Sequence, residues 1–148
     1  MIEVILNSFD WVSLHFACCF YLTGVILVIH LTHYPAFSFI AEKDFAKFHA
    51  RHTAVMGGIV GPVMILELLT ALILCHSYSL NWLFNLAGVV IIWLSTFLWS
   101  VPSHARLSRG QDLAEIKKLV RGNWLRTVIW TARSALFLLL ILKTKIFL

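Results

Sequence analysis

Charge is what this sequence has least of. Asp, Glu, Lys and Arg make up 13% of its 148 residues and hydrophobic residues 60%, whereas a soluble domain carries about a quarter charged residues. That shortage excludes an ordinary soluble fold and places the chain in a bilayer. The first ten residues hold Glu3 and Asp10 but no Lys or Arg, so they lack the basic start of a cleavable signal peptide, and the first apolar run is expected to stay as a transmembrane helix. Cysteine is also sparse. Cys18 and Cys19 are adjacent and Cys75 stands alone, which gives no disulfide framework and suits small apolar packing residues. There is no internal repeat and no low-complexity segment.

Long apolar runs fill the space that charge leaves. Four of them, about 11–37, 53–76, 82–102 and 124–146, approach or exceed the roughly 20 residues that cross about 30 Å of hydrocarbon. The expected fold is all-α, a four-helix integral membrane bundle forming a single domain over 1–148. If all four runs span, the 38–50 and 103–123 connections share one side. That side carries Lys43, Lys47, Arg51, Arg106, Arg109, Lys117, Lys118, Arg121 and Arg126, and the other offers only Lys143 and Lys145. The positive-inside rule then makes the long connections cytoplasmic and turns both termini outward, with a bacterial inner membrane as the expected location. The net charge of +5 reads as topology and contact with the lipid bilayer rather than as a nucleic-acid surface.

Punctuation agrees with this threading. Pro35 is expected to end the first helix, "GGIVGP" at 57–62 to loosen the second, and Pro102 to close the third. In "QDLAEIKKLV", Leu113, Ile116 and Val120 share one helical face, which predicts a short interfacial helix before the fourth span. Trp82, Trp99 and Trp124 fall near span ends, where aromatic rings sit at headgroup level.

Histidine is the residue in surplus. Of the seven, His30, His33, His49, His52 and His104 map to one end of three helices. Residues three apart on a helix lie roughly 5–6 Å apart on one face, so each His-x-x-His pair can aim two imidazoles at a common volume. Such a cluster suits iron or copper, one or two ions, at an open site. A structural zinc centre would recruit cysteine, and the cysteines lie toward the opposite face. Glu42, Asp44 and Asp112 are candidates to complete or orient the ligand set. Equally, histidines at this depth can hydrogen-bond headgroups, water and neighbouring helices. His15 and His76 lie too far along their helices to join; packing is their expected role, with a second minor site as the alternative.

Two ionisable residues lie deep in the spans. Glu67 is in the second and Arg133 in the fourth, where a charge costs several kcal/mol unless paired or solvated. Glu67 follows His49 by 18 residues, five helical turns, and so shares its azimuth. Arg126, Trp130 and Arg133 form a stripe down the fourth helix that could receive an acidic, phenolic or quinone-like oxygen. An interhelical Glu67–Arg133 pair locking the bundle is the competing reading.

Residues 101–136 resemble a signature of the anthrone-oxygenase-like family of small four-helix membrane proteins. Pro102 and His104 match a Pro with a polar residue two positions on, and Asn123 and Arg126 match an Asn-x-x-Arg element opening the fourth span. The family often has Asn where this chain has His104. The resemblance implies oxygen-dependent oxidation of a hydrophobic aromatic, such as anthrone to anthraquinone.

The leading expectation is a membrane oxidoreductase with iron or copper on His30, His33, His49, His52 and His104. Asn123, Arg126 and Glu67 are its candidate catalytic residues, and Tyr34, Trp130 and Arg133 line the site for a lipophilic small molecule. A haem protein with axial histidines from two helices and a non-catalytic subunit or metal or quinone carrier stand as alternatives. Association into a homo-oligomer stays open.

Overall fold

In a computed structural model of the protein, residues 10–77 and 81–146 are described. They form α1 (Trp11–Val28), α2 (Tyr34–Ala36), α3 (Glu42–Ser77), α4 (Asn81–Ser95), α5 (Val101–Leu107) and α6 (Leu113–Ile146). No strand is present among the described residues. A wide π turn, Ile29–His33, joins α1 to α2, and a second, Thr96–Ser100, joins α4 to α5. The four resulting rods are long and apolar enough to cross a membrane. They close a ring in which α1 touches α3 and α6, and α4 touches the same two helices.

Neither proline at a π turn ends its rod. Proline lacks the N–H for an i→i−4 bond, and its ring crowds the carbonyl four residues back. Here the residue before each proline reaches one carbonyl further back, Tyr34 N–H to Ile29 and Val101 N–H to Thr96, so the widened turn absorbs the break. The first rod continues through α2 and a 3₁₀ turn, Phe37–Phe39, and the third continues to Leu107. Pro62 lies inside α3, which still runs for 36 residues, roughly 54 Å at 1.5 Å per residue. The second rod therefore begins well before residue 53, and the 38–50 stretch is mostly helix.

Residues Leu113 to Val120 are helical and run unbroken into the fourth span within α6. Helical propensity across 113–121 is high, and one glycine, Gly122, costs too little to end a helix that is held by packing. Asp112 starts α6 by accepting the N–H groups of Ala114 and Glu115. Gly110, at φ +147°, makes the preceding turn in a conformation that favours glycine. Gln111 ties that turn to the first rod by donating to the carbonyls of Phe37 and Ile40. An ion pair of 2.7 Å between Arg106 and Glu115 fastens α5 to α6, with Ser103 donating to the same carboxylate.

Two apolar layers hold the ring. One is built on Leu22, Ile26, Met64, Ile92, Trp130 and Phe137 with Cys19, and the other on Ile29, Tyr34, Phe37, Phe45, Leu107 and Leu119. Cys18 and Cys19 are buried and unpaired, and Cys19 touches the Ser134 hydroxyl at 3.4 Å. Most remaining large apolar side chains point outward, as lipid-facing helices require.

Candidate functional site: a cavity between two polar layers

Two polar layers cross the bundle, anchored on α3 at His49–His52 and at Glu67. The 15 residues from His52 to Glu67 correspond to roughly 22 Å along the helix axis.

The first layer is the histidine cluster. His33 Nε2 lies 2.7 Å from His52 Nδ1, and His49 Nε2 lies 3.0 Å from His104 Nδ1. His104 Nε2 is 3.1 Å from the Tyr34 hydroxyl. Phe37, fully buried, packs edge-on against His33, His49, His52 and His104. His49 Nδ1 is buried with no partner. Four imidazoles from three rods therefore meet, and the nitrogens that face each other are joined by hydrogen bonds.

His30 belongs elsewhere. It packs on the Trp124 ring at 4.3 Å and accepts from Asn123 Nδ2 at 3.3 Å. The cause is local: His30 and His33 lie inside the π turn, whose longer circumference spreads residues that an α-helix would stack on one face. Glu42 and Asp44 are exposed, and Asp112 caps α6. Among the described residues, no group of three or more His, Cys, Asp or Glu side chains is arranged to hold a metal ion. The imidazoles as placed form a hydrogen-bonded relay that ends on Tyr34.

The second layer joins all four rods around Glu67. Arg133 Nη1 donates to Glu67 Oε1 at 2.7 Å, and Trp130 Nε1 lies 3.1 Å from both carboxylate oxygens. Arg133 Nε donates to Asn85 Oδ1, while its Nη2 and the Asn85 amide both reach His15 Nε2. With two donors at Nε2, the proton of His15 belongs on Nδ1, which lies 2.8 Å from the Thr70 hydroxyl. Glu67, Thr70 and His15 are fully buried. The Arg133 side chain passes over Gly88, where an added Cβ would come within 3.0 Å of its Cδ. His76 is exposed on the last turn of α3.

A cavity of about 320 Å³ lies between the layers. Its histidine end is formed by Tyr34, His52 and His104, and its far end by Met64 and Trp130. Gly57 and Gly61 leave the α3 wall bare, and a Cβ at either would meet nothing within 4 Å. Arg126 completes the wall from α6.

The setting of Arg126 is unusual. The residue is 6% exposed and has no carboxylate partner among the described residues. It donates to Thr96 Oγ1 at 3.3 Å and, closely, to Asn123 Oδ1, and its Nε is buried and unpaired. Asn123 therefore links Arg126 to His30, while Trp130 Nε1 and Arg133 Nη1 are engaged by Glu67. Sequence reasoning missed Asn85, Thr70, Thr96 and His15 as members of these networks. The only signal for them was polarity inside apolar runs.

Comparison of the chain with family models, curated proteins and solved structures returns no match.

Proposed function

We propose that the cavity binds a lipophilic aromatic molecule bearing an ionisable oxygen, and that the protein is a membrane oxidoreductase acting on it with dioxygen as oxidant. The observation that carries this reading is Arg126, a buried cation at the cavity wall with no carboxylate partner among the described residues. Buried charges are ordinarily paired, and the unmatched guanidinium suits a phenolate, enolate or quinone oxygen. The mostly apolar walls suit the rest of an aromatic ring system.

The histidine end of the cavity supplies the base. Tyr34, His104 and His49 form one hydrogen-bonded chain with two arrangements. Either Tyr34 donates to His104 and His104 to His49, or His49 donates to His104 and His104 to Tyr34. Switching between them carries a proton between the cavity and His49 Nδ1. Proton loss from a bound phenol or anthrone leaves an electron-rich anion beside Arg126, and that anion is the form that reacts with dioxygen. For a ring methylene, one dioxygen converts CH₂ to a carbonyl and its second oxygen atom leaves as water. These steps need only the chain's own residues and the oxidant, and they accord with the resemblance of residues 101–136 to anthrone-oxygenase-like proteins.

The test is oxygen uptake by purified protein in lipid nanodiscs supplied with anthrone. The expected stoichiometry is one dioxygen per anthrone, with kcat falling about a hundredfold or more in Arg126→Gln, the loss typical of a group that stabilises developing negative charge. Uptake no faster than in protein-free nanodiscs, or unchanged by Arg126→Gln, would overturn the reading.

A further inference from the structure

A second hollow, of about 540 Å³, lies on the outside of the bundle between the second π turn and the start of α6. Trp99 forms one wall, and Ala114, Lys117, Lys118, Arg121 and Gly122 form the other. Positions 114, 118, 121 and 122 recur at helical spacing, so they present one face of α6. At Gly122 the two walls meet. An added Cβ there would come within 2.9 Å of Trp99 Cδ1, so the indole lies directly against the α6 backbone.

Three cations and no carboxylate line this hollow. The acids at the start of α6 are committed elsewhere, Glu115 to Arg106 and Ser103, and Asp112, just before the helix, to the N–H groups that begin it. The surface beside it is apolar and open. Phe97, Leu98, Val101, Trp124 and Leu125 are each at least 45% exposed. A ligand that fits must carry negative charge at one end and long hydrocarbon at the other.

The geometry points to a headgroup site for an anionic glycerophospholipid, its phosphate among Lys117, Lys118 and Arg121 and its acyl chains leaving over Trp99 toward the exposed apolar flank. The flank decides for a lipid over a free phosphate, since a free anion would gain nothing from it. The site stands independently of the cavity and of its proposed chemistry.

Full-length protein reconstituted in equal parts of phosphatidylglycerol and phosphatidylcholine, then released into mild detergent with its retained lipids counted by native mass spectrometry, tests this. Wild type should retain phosphatidylglycerol selectively. Lys117→Gln/Lys118→Gln/Arg121→Gln should lower that retention by about fivefold per cation, the share of one basic residue at an anionic surface. Ala114→Trp fills the hollow with its charge intact and should lower retention as well. A control with the same loss of charge, Lys43→Gln/Lys47→Gln/Arg109→Gln, should retain the lipid as wild type does. Equal loss in the control would reduce the effect to diffuse attraction and overturn the site. Displacement of the lipid by millimolar inorganic phosphate would make it a free-anion site, and no preference in wild type would remove it altogether.

Discussion

Arg133 Nη1 lies 2.7 Å from Glu67 Oε1, joining the fourth rod to the second where both side chains are at least nine-tenths buried. Each ion is the other's counter-charge, and Trp130, Asn85 and His15 satisfy what remains. Removing one partner strands the other in a dry interior. Glu67→Leu should therefore lower stability by about 3–5 kcal/mol, whereas Glu67→Leu with Arg133→Leu should cost much less than the sum of the two single changes. Reversible unfolding in bicelles would show this, and strict additivity would refute a coupled pair.

Filling the cavity separates binding from folding. Gly57→Leu places a side chain where a Cβ meets nothing within 4 Å, and replacing a helical glycine contributes about 0.5–1 kcal/mol of helix stability. Melting temperature should hold or rise while uptake of aromatic ligand is lost. Quenching of tryptophan fluorescence by a naphthoquinone reads the ligand, since Trp130 lines the cavity. Undiminished quenching would place the ligand elsewhere.

Gly122→Ala tests the opposite case, a glycine with no spare room. Its Cβ would press on Trp99 Cδ1 at 2.9 Å, and overpacking of this kind costs about 1–3 kcal/mol. Lower stability and a shifted tryptophan emission are expected, and a variant as stable as wild type would show that Trp99 moves aside freely.

Asp10 gives a pH effect with a definite sign. It caps α1 by accepting from the Ser13 N–H and hydroxyl, and the side-chain bond to Ser13 is the main influence holding its carboxyl below its ordinary 3.8. A native value below the unfolded one stabilises the helix start above about pH 3.8, and that stabilisation is lost as pH falls through the lowered value. Hydrogen exchange at Ser13 and Leu14 should quicken over that acid range in wild type, and in Asp10→Ala it should be fast at every pH. Identical acid profiles in the two proteins would remove Asp10 from the cap.

Length and hydropathy made the four spans legible, because an uninterrupted apolar run admits few folds other than a membrane helix. The meeting of His49, His52 and His104 was legible for a similar reason, since each lies at the same end of its rod. Depth along the axis was enough to bring them together. Rotation about the axis was harder to read. His30 faces Asn123 and Trp124 instead of its expected companions, and His15 completes the Glu67 layer although packing was its leading expected role. Both depend on which way a rod is turned, and a count of about 100° per residue fails wherever the backbone leaves α geometry. The pairing of imidazole with imidazole was likewise hidden, because the residue types alone suit ligands and hydrogen-bond partners equally well.

The two π turns act as insertions held in reserve. Each lets a helix keep one residue more than its length requires, and everything past it is re-phased relative to everything before. Tyr34 beyond the first turn and His104 beyond the second reach each other from rods phased in this way. Deleting one residue from either turn would restore a regular helix and swing one partner off the other without touching a side chain in the site. For this protein, a change in count within Ile29–His33 or Thr96–Ser100 is chemically louder than most changes of letter.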